Sequence, residues 1–309
     1  MSFKILFMGT PIFAVPILKS IHESNHKILE VYTQPPKKKN RGQKISFSPV
    51  HEYSNKINIP IRYPSTLETE EEFEYIKKIK PDISIVVAYG KILPSKFLSL
   101  ENTMFINIHA SLLPRWRGAA PIQRAIMNND NETGISIMKI EPKLDTGPVL
   151  MQSKIEITRG INYEELSDQM SKLGARLILE ALDLIENGKA KFISQNDKDV
   201  SYAKKIEKVE SKINWNSEAK KVIAKINALH PNPGSWFNLK GLRIKIIRAI
   251  EIKTSGLPGE IINKNFTIGC SKNAVQILEL QKEGKNKISV EEFLKGNKLE
   301  VGFNILTDV

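Results

Sequence analysis

The chain has 309 residues and a mass of 35.0 kDa, enough for about two domains, and its 41% hydrophobic and 26% charged residues exclude a wholly disordered protein. Its apolar runs fall far short of the ~20 residues of a membrane-spanning helix, and its one cysteine, Cys270, excludes a disulfide framework, so we expect a cytoplasmic protein without a membrane partner. The formal net charge of +12 favours a polyanionic partner.

Predicted strands and helices alternate through the first part of the chain. Strands are predicted at residues 3–8, 28–33, 82–88, 104–109, 134–140 and 147–157, and helices at 12–21, 49–56, 69–80 and 163–187. Strands that alternate with helices form a parallel sheet covered on both faces, and ligands bind beyond the carboxyl ends of its strands. We therefore expect an α/β fold with a Rossmann-like, mostly parallel sheet in a first domain over residues 1–189.

The pattern changes after residue 189. The polar segment 190–206 lacks periodicity and is predicted to be a linker between domains. Short strand-like runs then follow at residues 242–247, 260–262, 266–269 and 275–280. They predict a smaller β-barrel domain over residues 207–309. The segment 204–309 holds 19 basic and 11 acidic residues, so the second domain is disproportionately basic.

The turn after the first strand, Gly9-Thr10-Pro11, has the setting of a nucleotide-binding loop but not its residues. It lacks the three spaced glycines of a dinucleotide fingerprint and the Gly-Lys-Ser/Thr ending of a phosphate loop. We expect Thr10 to cap the following helix and Pro11 to be its first residue.

Residues 22–26 match the His-Glu-x-x-His pattern of zinc proteases. That pattern binds a metal only when one continuous helix presents both imidazoles on one face. Ser24 and Asn25 favour a turn, so we expect His26 to lie past the helix end, and no metal site is predicted.

Three polar residues are candidates for catalysis. Alternation along the strand 104–109 places Asn107 and His109 on one side, at its carboxyl end. Such a pair can stabilise an oxyanion, and the imidazole can move a proton; alternatively, both are core residues that satisfy backbone groups. Asp145 lies in a later loop and could orient the imidazole or accept a proton from an attacking amine, or could simply cap a turn.

Four motifs carry a resemblance to a known family. The motifs are Phe7-Met8-Gly9-Thr10-Pro11, the segment 87–94, the segment 107–122 and Leu144-Asp145-Thr146-Gly147. In the order and spacing of these motifs, the chain resembles the methionyl-tRNA formyltransferase family over nearly its whole length. The resemblance implies that Asn107, His109 and Asp145 are catalytic and that the second domain is an OB-like barrel that binds tRNA. Arg115 and Arg117 could contact anionic groups or form a structural clasp.

The resemblance also implies two binding surfaces. The folate formyl donor is expected to contact Tyr89, Gly90, Ile92, Leu93, Pro94, Ser111, Leu112, Leu113 and Pro114. The basic loop 34–49 is expected to contact initiator tRNA through Lys37, Lys38, Lys39, Arg41 and Lys44, with Arg41 at the position that the family uses to sense the weak first base pair. The loop could instead be an ordinary solvated run of charges.

The implied reaction transfers a formyl group from 10-formyltetrahydrofolate to the α-amine of methionyl initiator tRNA, giving formylmethionyl-tRNA for translation initiation. The resemblance requires no metal, and we expect a monomer. One alternative is a folate-dependent formyltransferase that acts on a small nucleotide or amino-sugar amine. A second is a non-catalytic tRNA-binding protein that uses only the barrel and the basic loop.

Overall fold

The computed structural model describes residues 2–39 and 44–307, which form two compact units. The first unit comprises the chain up to Gly118 together with Thr133–Ile155 and Ser167–Tyr202, and the second comprises Ala119–Glu132, Glu156–Leu166 and the chain from Ala203 onward. The domain boundaries at residues 189 and 206 stay a prediction. Within the described ranges, no helix combines the length and apolar character needed to cross a membrane.

The chain alternates strands and helices up to residue 203. In chain order the elements are β1 (Lys4–Gly9), α1 (Val15–His22), β2 (Lys27–Tyr32), β3 (Lys37–Lys39), β4 (Lys44–Ser46), α2 (Pro49–Lys56), β5 (Ile61–Arg62), α3 (Glu70–Ile79), β6 (Ile83–Val87), α4 (Ser95–Leu98), β7 (Met104–His109), β8 (Arg117–Gly118), α5 (Pro121–Met127), β9 (Glu132–Lys139), β10 (Val149–Glu156), α6 (Tyr163–Glu186) and β11 (Tyr202–Ala203).

A seven-stranded sheet forms the centre of the first unit. Its strand order is β10-β9-β7-β6-β1-β2-β5, with parallel pairing from β7 through to β5 and antiparallel pairing between β7 and β9. In β1, the side chains of Ile5, Leu6, Phe7 and Met8 are fully buried, because a parallel sheet is covered on both faces. The predicted mostly parallel α/β fold is confirmed.

The register of the sheet brings three carboxyl ends together. Gly9 of β1 lies opposite Val87 of β6, and Val86 lies opposite Asn107 of β7. The loops that follow these strands therefore begin side by side at one edge of the sheet, where open α/β sheets bind ligands.

The prediction that Thr10 caps the first helix is wrong. A 3-10 helix at Ile12–Ala14 comes first, with Pro11 at its N-cap position, and α1 begins only at Val15. The hydroxyl of Thr10 instead donates a hydrogen bond to the carbonyl oxygen of Tyr89, at 2.8 Å. The tertiary contact with the neighbouring strand end replaces the local cap.

The His-Glu-x-x-His residues do not share one helix. Helix α1 ends at His22, and the Nδ1 atom of His26 accepts a hydrogen bond from the backbone N–H of Phe3, at 3.2 Å. The His26 ring also stacks on the Phe3 ring, with centroids 5.4 Å apart. These contacts give His26 a structural role beside β1.

The second unit contains a six-stranded antiparallel sheet. Its remaining elements are α7 (Ala219–Leu229), β12 (Ser235–Leu239), β13 (Leu242–Ile252), β14 (Ile261–Asn263), β15 (Thr267–Gly269), β16 (Ala274–Lys282), β17 (Lys287–Ser289) and α8 (Val290–Lys295). The strand order is β12-β13-β16-β15-β14, and β17 pairs with β16. The predicted β-rich second fold is confirmed, although the sequence analysis does not predict β12, β17, α7 or α8, and β13 extends beyond the predicted 242–247.

Aromatic side chains fill the core of the second unit. Trp215 meets Phe237 edge to face, and Phe266 stacks on Phe293 with ring centroids 5.6 Å apart. All four side chains are almost completely buried among aliphatic residues of α7 and the sheet. Such burial is the main source of stability for a small β-rich unit.

Candidate active site

Asn107, His109 and Asp145 converge at one edge of the sheet in the first unit. Strand β7 carries Asn107 and His109 at alternate positions, so both side chains lie on the same side. The Nδ2 atom of Asn107 donates to Oδ1 of Asp145 at 3.3 Å, and Nδ1 of His109 lies 3.7 Å from Oδ2 of the same carboxylate. The structure thus places the amide, the imidazole and the carboxylate together, while their roles in catalysis stay a prediction.

The Asp145 carboxylate is fixed by the backbone as well as by side chains. The N–H of Gly118 donates to Oδ2 of Asp145 at 2.8 Å. Asp145 itself adopts a left-handed conformation, with φ of 50°. A non-glycine residue in this region costs about 1 kcal/mol or more and persists only where its surroundings hold it there.

His109 is buried and oriented by a backbone carbonyl. Its Nε2 atom lies 2.9 Å from the carbonyl oxygen of Trp116. Because a carbonyl oxygen only accepts hydrogen bonds, Nε2 carries a hydrogen, and Nδ1 is the ring atom that faces Asp145. Trp116 is also left-handed, with φ of 60°, so two strained residues flank the same imidazole and carboxylate. Strain of this kind clusters at functional sites.

The first predicted folate segment follows β6 and borders this edge. Tyr89 is buried, and its carbonyl oxygen accepts hydrogen bonds from the Thr10 hydroxyl and from Nε2 of Gln34 at 3.2 Å. Gly90 has φ of 81°, a conformation that glycine adopts without penalty. Ile92, by contrast, is 90% exposed. The remaining predicted residues here, Leu93 and Pro94, are half-buried.

Burial changes the acid–base properties of this segment. It raises the pKa of the Tyr89 hydroxyl, which has no hydrogen-bond partner among the described residues. It also lowers the pKa of the Lys91 ammonium, which donates to the carbonyl oxygen of Pro64. Both shifts follow from the loss of hydration of the charged form.

The second predicted folate segment, Ser111, Leu112, Leu113 and Pro114, is held by hydrogen bonds to β9 and β10. The Ser136 hydroxyl donates to the carbonyl oxygen of Ser111 at 2.6 Å and accepts from the N–H of Leu113 at 3.1 Å. The Gln152 amide donates to the carbonyl oxygen of Leu113 at 2.9 Å. The backbone of this segment is therefore fixed, and several of its polar groups already have protein partners.

The predicted tRNA contacts lie on a separate hairpin of the first unit. Lys37, Lys38 and Lys39 form β3, which pairs antiparallel with β4 beginning at Lys44. Arg41 lies outside the described residues. The backbone of the described residues therefore forms a hairpin that carries these lysines, and their contact with tRNA stays a prediction.

Sequence reasoning missed Gln195 and left Arg117 undecided. The Gln195 amide contacts both the Asp145 loop and the buried guanidinium of Arg117. The Arg117 guanidinium is thus buried against protein partners, whereas Arg115 is exposed; whether either arginine contacts an anion or forms a structural clasp stays a prediction. Gln195 lies in the polar segment interpreted as a linker, where no periodicity or motif marks it.

Replacing Gly147 with alanine should disturb the Asp145 loop. A Cβ atom at this position would overlap the backbone carbonyl oxygen of Lys139, so the loop must shift. Because Asp145 is two residues away, we expect the turnover number to fall by about 10-fold or more. Steady-state kinetics would measure this fall. The control is Gly296→Ala, since Gly296 has a negative φ of −110° and a Cβ there meets no atom within 4 Å; equal turnover in both variants would contradict the prediction.

The described residues contain no cluster of three or more histidine, cysteine or acidic side chains that could hold a metal ion.

Two family models match the chain. One, described as formyl transferase, matches residues 3–182, and the other, described as formyl transferase, C-terminal domain, matches residues 205–298. Together with the mostly parallel sheet and the site at its edge, these matches define the class of protein as a formyl-transferring enzyme.

Close relatives narrow the class. The chain is 49% identical over 307 residues to the methionyl-tRNA formyltransferase of Pelagibacter ubique (strain HTCC1062), a match that covers 99% of each chain. It is 41% identical over 307 residues to the methionyl-tRNA formyltransferase of Bradyrhizobium diazoefficiens, covering 98% of this chain and 99% of the relative. The chain belongs to the methionyl-tRNA formyltransferase family.

Solved structures share the fold at low sequence identity. An N-formyltransferase from Helicobacter canadensis, in complex with folinic acid and dTDP-3-aminofucose, has a TM-score of 0.67 and 21% identity, covering 91% of this chain and 99% of that one. HypX from Aquifex aeolicus, in complex with tetrahydrofolic acid, has a TM-score of 0.66 and 18% identity. That match covers 98% of this chain and 51% of HypX.

Proposed function

We propose that this chain transfers the formyl group of 10-formyltetrahydrofolate to the α-amine of methionine esterified to initiator tRNA. The convergence of Asn107, His109 and Asp145 at the edge of the sheet carries the proposal. These groups suit acyl transfer to an amine, because the reaction needs a donor for an oxyanion and a path for one proton. Membership of the methionyl-tRNA formyltransferase family supports the choice of acceptor.

The atoms of the reaction balance without a further reactant. The amine nitrogen forms a bond to the formyl carbon, the bond from that carbon to N10 breaks, and the proton lost by the amine ends on N10. An amide carries two hydrogens, so Asn107 can donate one to Asp145 and the other to the oxygen that becomes negative. The Asp145 carboxylate accepts the proton from the attacking nitrogen and passes it to N10. In a protonated His109, Nε2–H faces the Trp116 carbonyl and Nδ1–H faces Asp145, so its positive charge stabilises the negative oxygen through space and not by a hydrogen bond.

The residues after β6 fit a folate. A pterin needs an apolar surface and a few main-chain hydrogen bonds in a fixed arrangement. Ile92 offers an exposed apolar side chain, and the neighbouring carbonyl of Tyr89 is held in place by Thr10 and Gln34. We propose that Tyr89, Gly90, Ile92, Leu93 and Pro94 form one wall of the folate site, and that Ser111, Leu112, Leu113 and Pro114 form the other.

A second surface suits the acceptor end of tRNA. The β3–β4 hairpin carries Lys37, Lys38, Lys39 and Lys44, and an aromatic stack follows it directly in the chain. In this stack Phe47 packs on His51, with ring centroids 4.2 Å apart, and His51 contacts Tyr63. Phe47 and Tyr63 remain about two-fifths exposed. Lysines beside exposed rings are typical of surfaces that bind single-stranded nucleic acid, because the lysines attract phosphates and bases stack on the rings.

The lysines of the hairpin should set the affinity for tRNA. We expect the double variant Lys38→Ala/Lys39→Ala to weaken binding of methionyl-tRNA by about 10-fold and to reduce the slope of log affinity against log salt by up to about 2, since each lost phosphate contact contributes about 0.9. The turnover number at saturating tRNA should stay within about twofold, because phosphate contacts position the ligand. Binding measured at several salt concentrations checks both expectations.

The matched control removes the same charge elsewhere. Lys77 and Lys78 are exposed on α3, so Lys77→Ala/Lys78→Ala should leave the affinity and the salt slope close to those of the unmodified protein. If both double variants weaken binding equally, the effect is one of net charge and the hairpin is not a specific contact.

Transfer of labelled formyl from 10-formyltetrahydrofolate tests the function directly. We expect label to appear on methionyl initiator tRNA, and much less on methionyl elongator tRNA. Label on glycinamide ribonucleotide or on a nucleotide-linked amino sugar, with none on tRNA, would favour a small-amine formyltransferase. Binding of methionyl-tRNA without any transfer would favour a non-catalytic tRNA-binding protein.

A further inference from the structure

The side-chain amide of Gln195 links the Asp145 loop to a buried arginine. Its Nε2 atom donates to the carbonyl oxygens of Asp145 and Gly147, at 2.9 Å and 2.8 Å. Its Oε1 atom accepts from Nε and Nη2 of Arg117, at 3.0 Å and 2.8 Å. A primary amide has two donor hydrogens and two acceptor lone pairs, so all four hydrogen-bonding positions of Gln195 are used.

Arg117 provides a rigid anchor for this amide. Arg117 is only 4% exposed. A guanidinium buried in this way destabilises the fold unless its N–H donors have hydrogen-bond partners. Arg117 also pairs with Asp197 at 3.2 Å, but the Asp197 side chain is 84% exposed, so this ion pair contributes little stability. The orientation of the Gln195 amide is thus fixed, because its oxygen must face the guanidinium and its nitrogen must face the Asp145 loop.

The Asp145 loop requires such a support. Residues 141–144 are exposed, and Asp145 holds a left-handed conformation that its own backbone does not favour. Gly118 and Asn107 bind only the carboxylate oxygens. Gln195 binds the main chain of the same residue, so it restrains the point from which the carboxylate projects.

The segment that carries Gln195 also holds the histidine side of the site. The hydroxyl of Ser201 accepts from the N–H of Trp116 at 2.9 Å, and its carbonyl oxygen accepts from the N–H of Arg117 at 2.9 Å. The carbonyl of Trp116 is the group that orients His109. One segment, residues 195–201, therefore supports the backbone behind both the carboxylate and the imidazole.

We propose that Gln195 is a positioning residue for formyl transfer, which sets the place of the Asp145 carboxylate through the two carbonyls that its amide holds. It contacts no reacting atom, and it acts through Asp145. This inference rests on the proposed function, since it assigns Gln195 to the proton path of that reaction. It also changes the role of the segment 195–201, which supports the active site in addition to linking the two units along the chain.

The Gln195→Glu variant distinguishes a positioning role from a role that only supplies hydrogen-bond acceptors to the Arg117 guanidinium. A glutamate keeps two oxygens for Arg117 but has no N–H to donate to the carbonyls of Asp145 and Gly147. We expect the turnover number to fall by about 10- to 100-fold, as for a displacement of a reacting group by about 1 Å, with KM for methionyl-tRNA within about twofold. If Gln195 served only to stabilise the buried charge, Gln195→Glu would retain both the turnover number and the melting temperature.

The dependence on Asp145 is tested in a double-mutant cycle. In an Asp145→Asn background, Gln195→Glu should lower the turnover number by less than about twofold, because a residue that acts through Asp145 has no further effect once the carboxylate is lost. Full additivity of the two changes would overturn the proposal. The matched control is Asp197→Asn, which alters the exposed partner of Arg117 and should keep the turnover number within about twofold.

A second variant and a second measurement keep the test decisive. Gln195→Asn retains the amide on a side chain one methylene shorter, and should lose turnover because it cannot reach Arg117 and the loop together. Hydrogen exchange of the backbone amides 144–147 should become faster in both Gln195 variants, and unchanged exchange would contradict the proposal without reference to activity. If the unmodified protein transfers no formyl group, the proposed function fails; if it is active and both variants match it, only the role of Gln195 fails.

Discussion

Replacing Asp145 with asparagine is expected to lower the turnover number for formyl transfer by a factor of about 10² or more. Asparagine preserves the size of the side chain but cannot accept the proton that leaves the attacking amine. The NH2 group of the asparagine would also face one of the two donors that now bind the carboxylate, either the N–H of Gly118 or the amide of Asn107. Steady-state kinetics at saturating methionyl-tRNA and folate donor would measure the fall.

The affinity for tRNA should hardly change, since the proposed phosphate contacts are made by lysines of the β3–β4 hairpin and not by Asp145. Asp168→Asn is the matched control, because Asp168 is an exposed carboxylate on α6 that pairs only with Lys172 in the described contacts; its turnover should stay within about twofold. Asn107→Ala and His109→Ala should each reduce turnover by a similar factor to Asp145→Asn. Unchanged turnover in all three active-site variants would refute the assignment of these residues.

Replacing Phe266 with alanine is expected to destabilise the second unit by about 3–5 kcal/mol, the range observed for truncation of a fully buried phenylalanine. Phe266 has no exposed surface, stacks on Phe293 and meets Phe237 edge to face. Truncation removes these ring contacts and leaves a cavity that close-packed neighbours cannot fill. The unfolding transition in urea, followed by tryptophan fluorescence in a Trp116→Phe background that leaves Trp215 and Trp236 of the second unit as reporters, would measure the loss.

Two controls distinguish cavity formation from a general effect of mutation at this core. Phe266→Leu keeps most of the buried volume and should cost less than Phe266→Ala. Leu242→Ala removes an aliphatic side chain that is half exposed at the start of β13 and should change stability by about 0.5 kcal/mol or less. Equal losses in Phe266→Ala and Leu242→Ala would show that this aromatic core does not stabilise the unit.

The proposed active site combines two residues of one strand with groups from two other segments. Asn107 and His109 come from β7, Asp145 from the loop between β9 and β10, and Gln195 from the segment after α6. A displacement of a reacting group by about 1 Å is enough to slow catalysis strongly. Each of these segments must therefore be held in place by its own contacts. The left-handed Asp145 and Trp116, which are stabilised by hydrogen bonds from outside their own loops, show where this support is applied.

The sequence by itself determined the features that depend on neighbouring residues. Continuous apolar runs such as 3–8 and 82–88 indicate buried parallel strands, because both faces of such strands must be covered. Because side chains alternate along a strand, the sequence alone places Asn107 and His109 on the same side of β7. The α/β first fold, the β-rich second fold and the resemblance to formyltransferases follow from these local patterns and motifs.

The tertiary structure decided the features that join distant segments. Thr10 was expected to cap a helix and instead bonds to Tyr89, because the register of β1 against β6 brings the two strand ends together. The distance from Asp145 to His109 depends on the conformation of a loop, and no periodicity encodes a left-handed residue. Gln195 carries no sequence signal at all, since its role arises only where the folded chain places an amide between a buried guanidinium and two carbonyl oxygens.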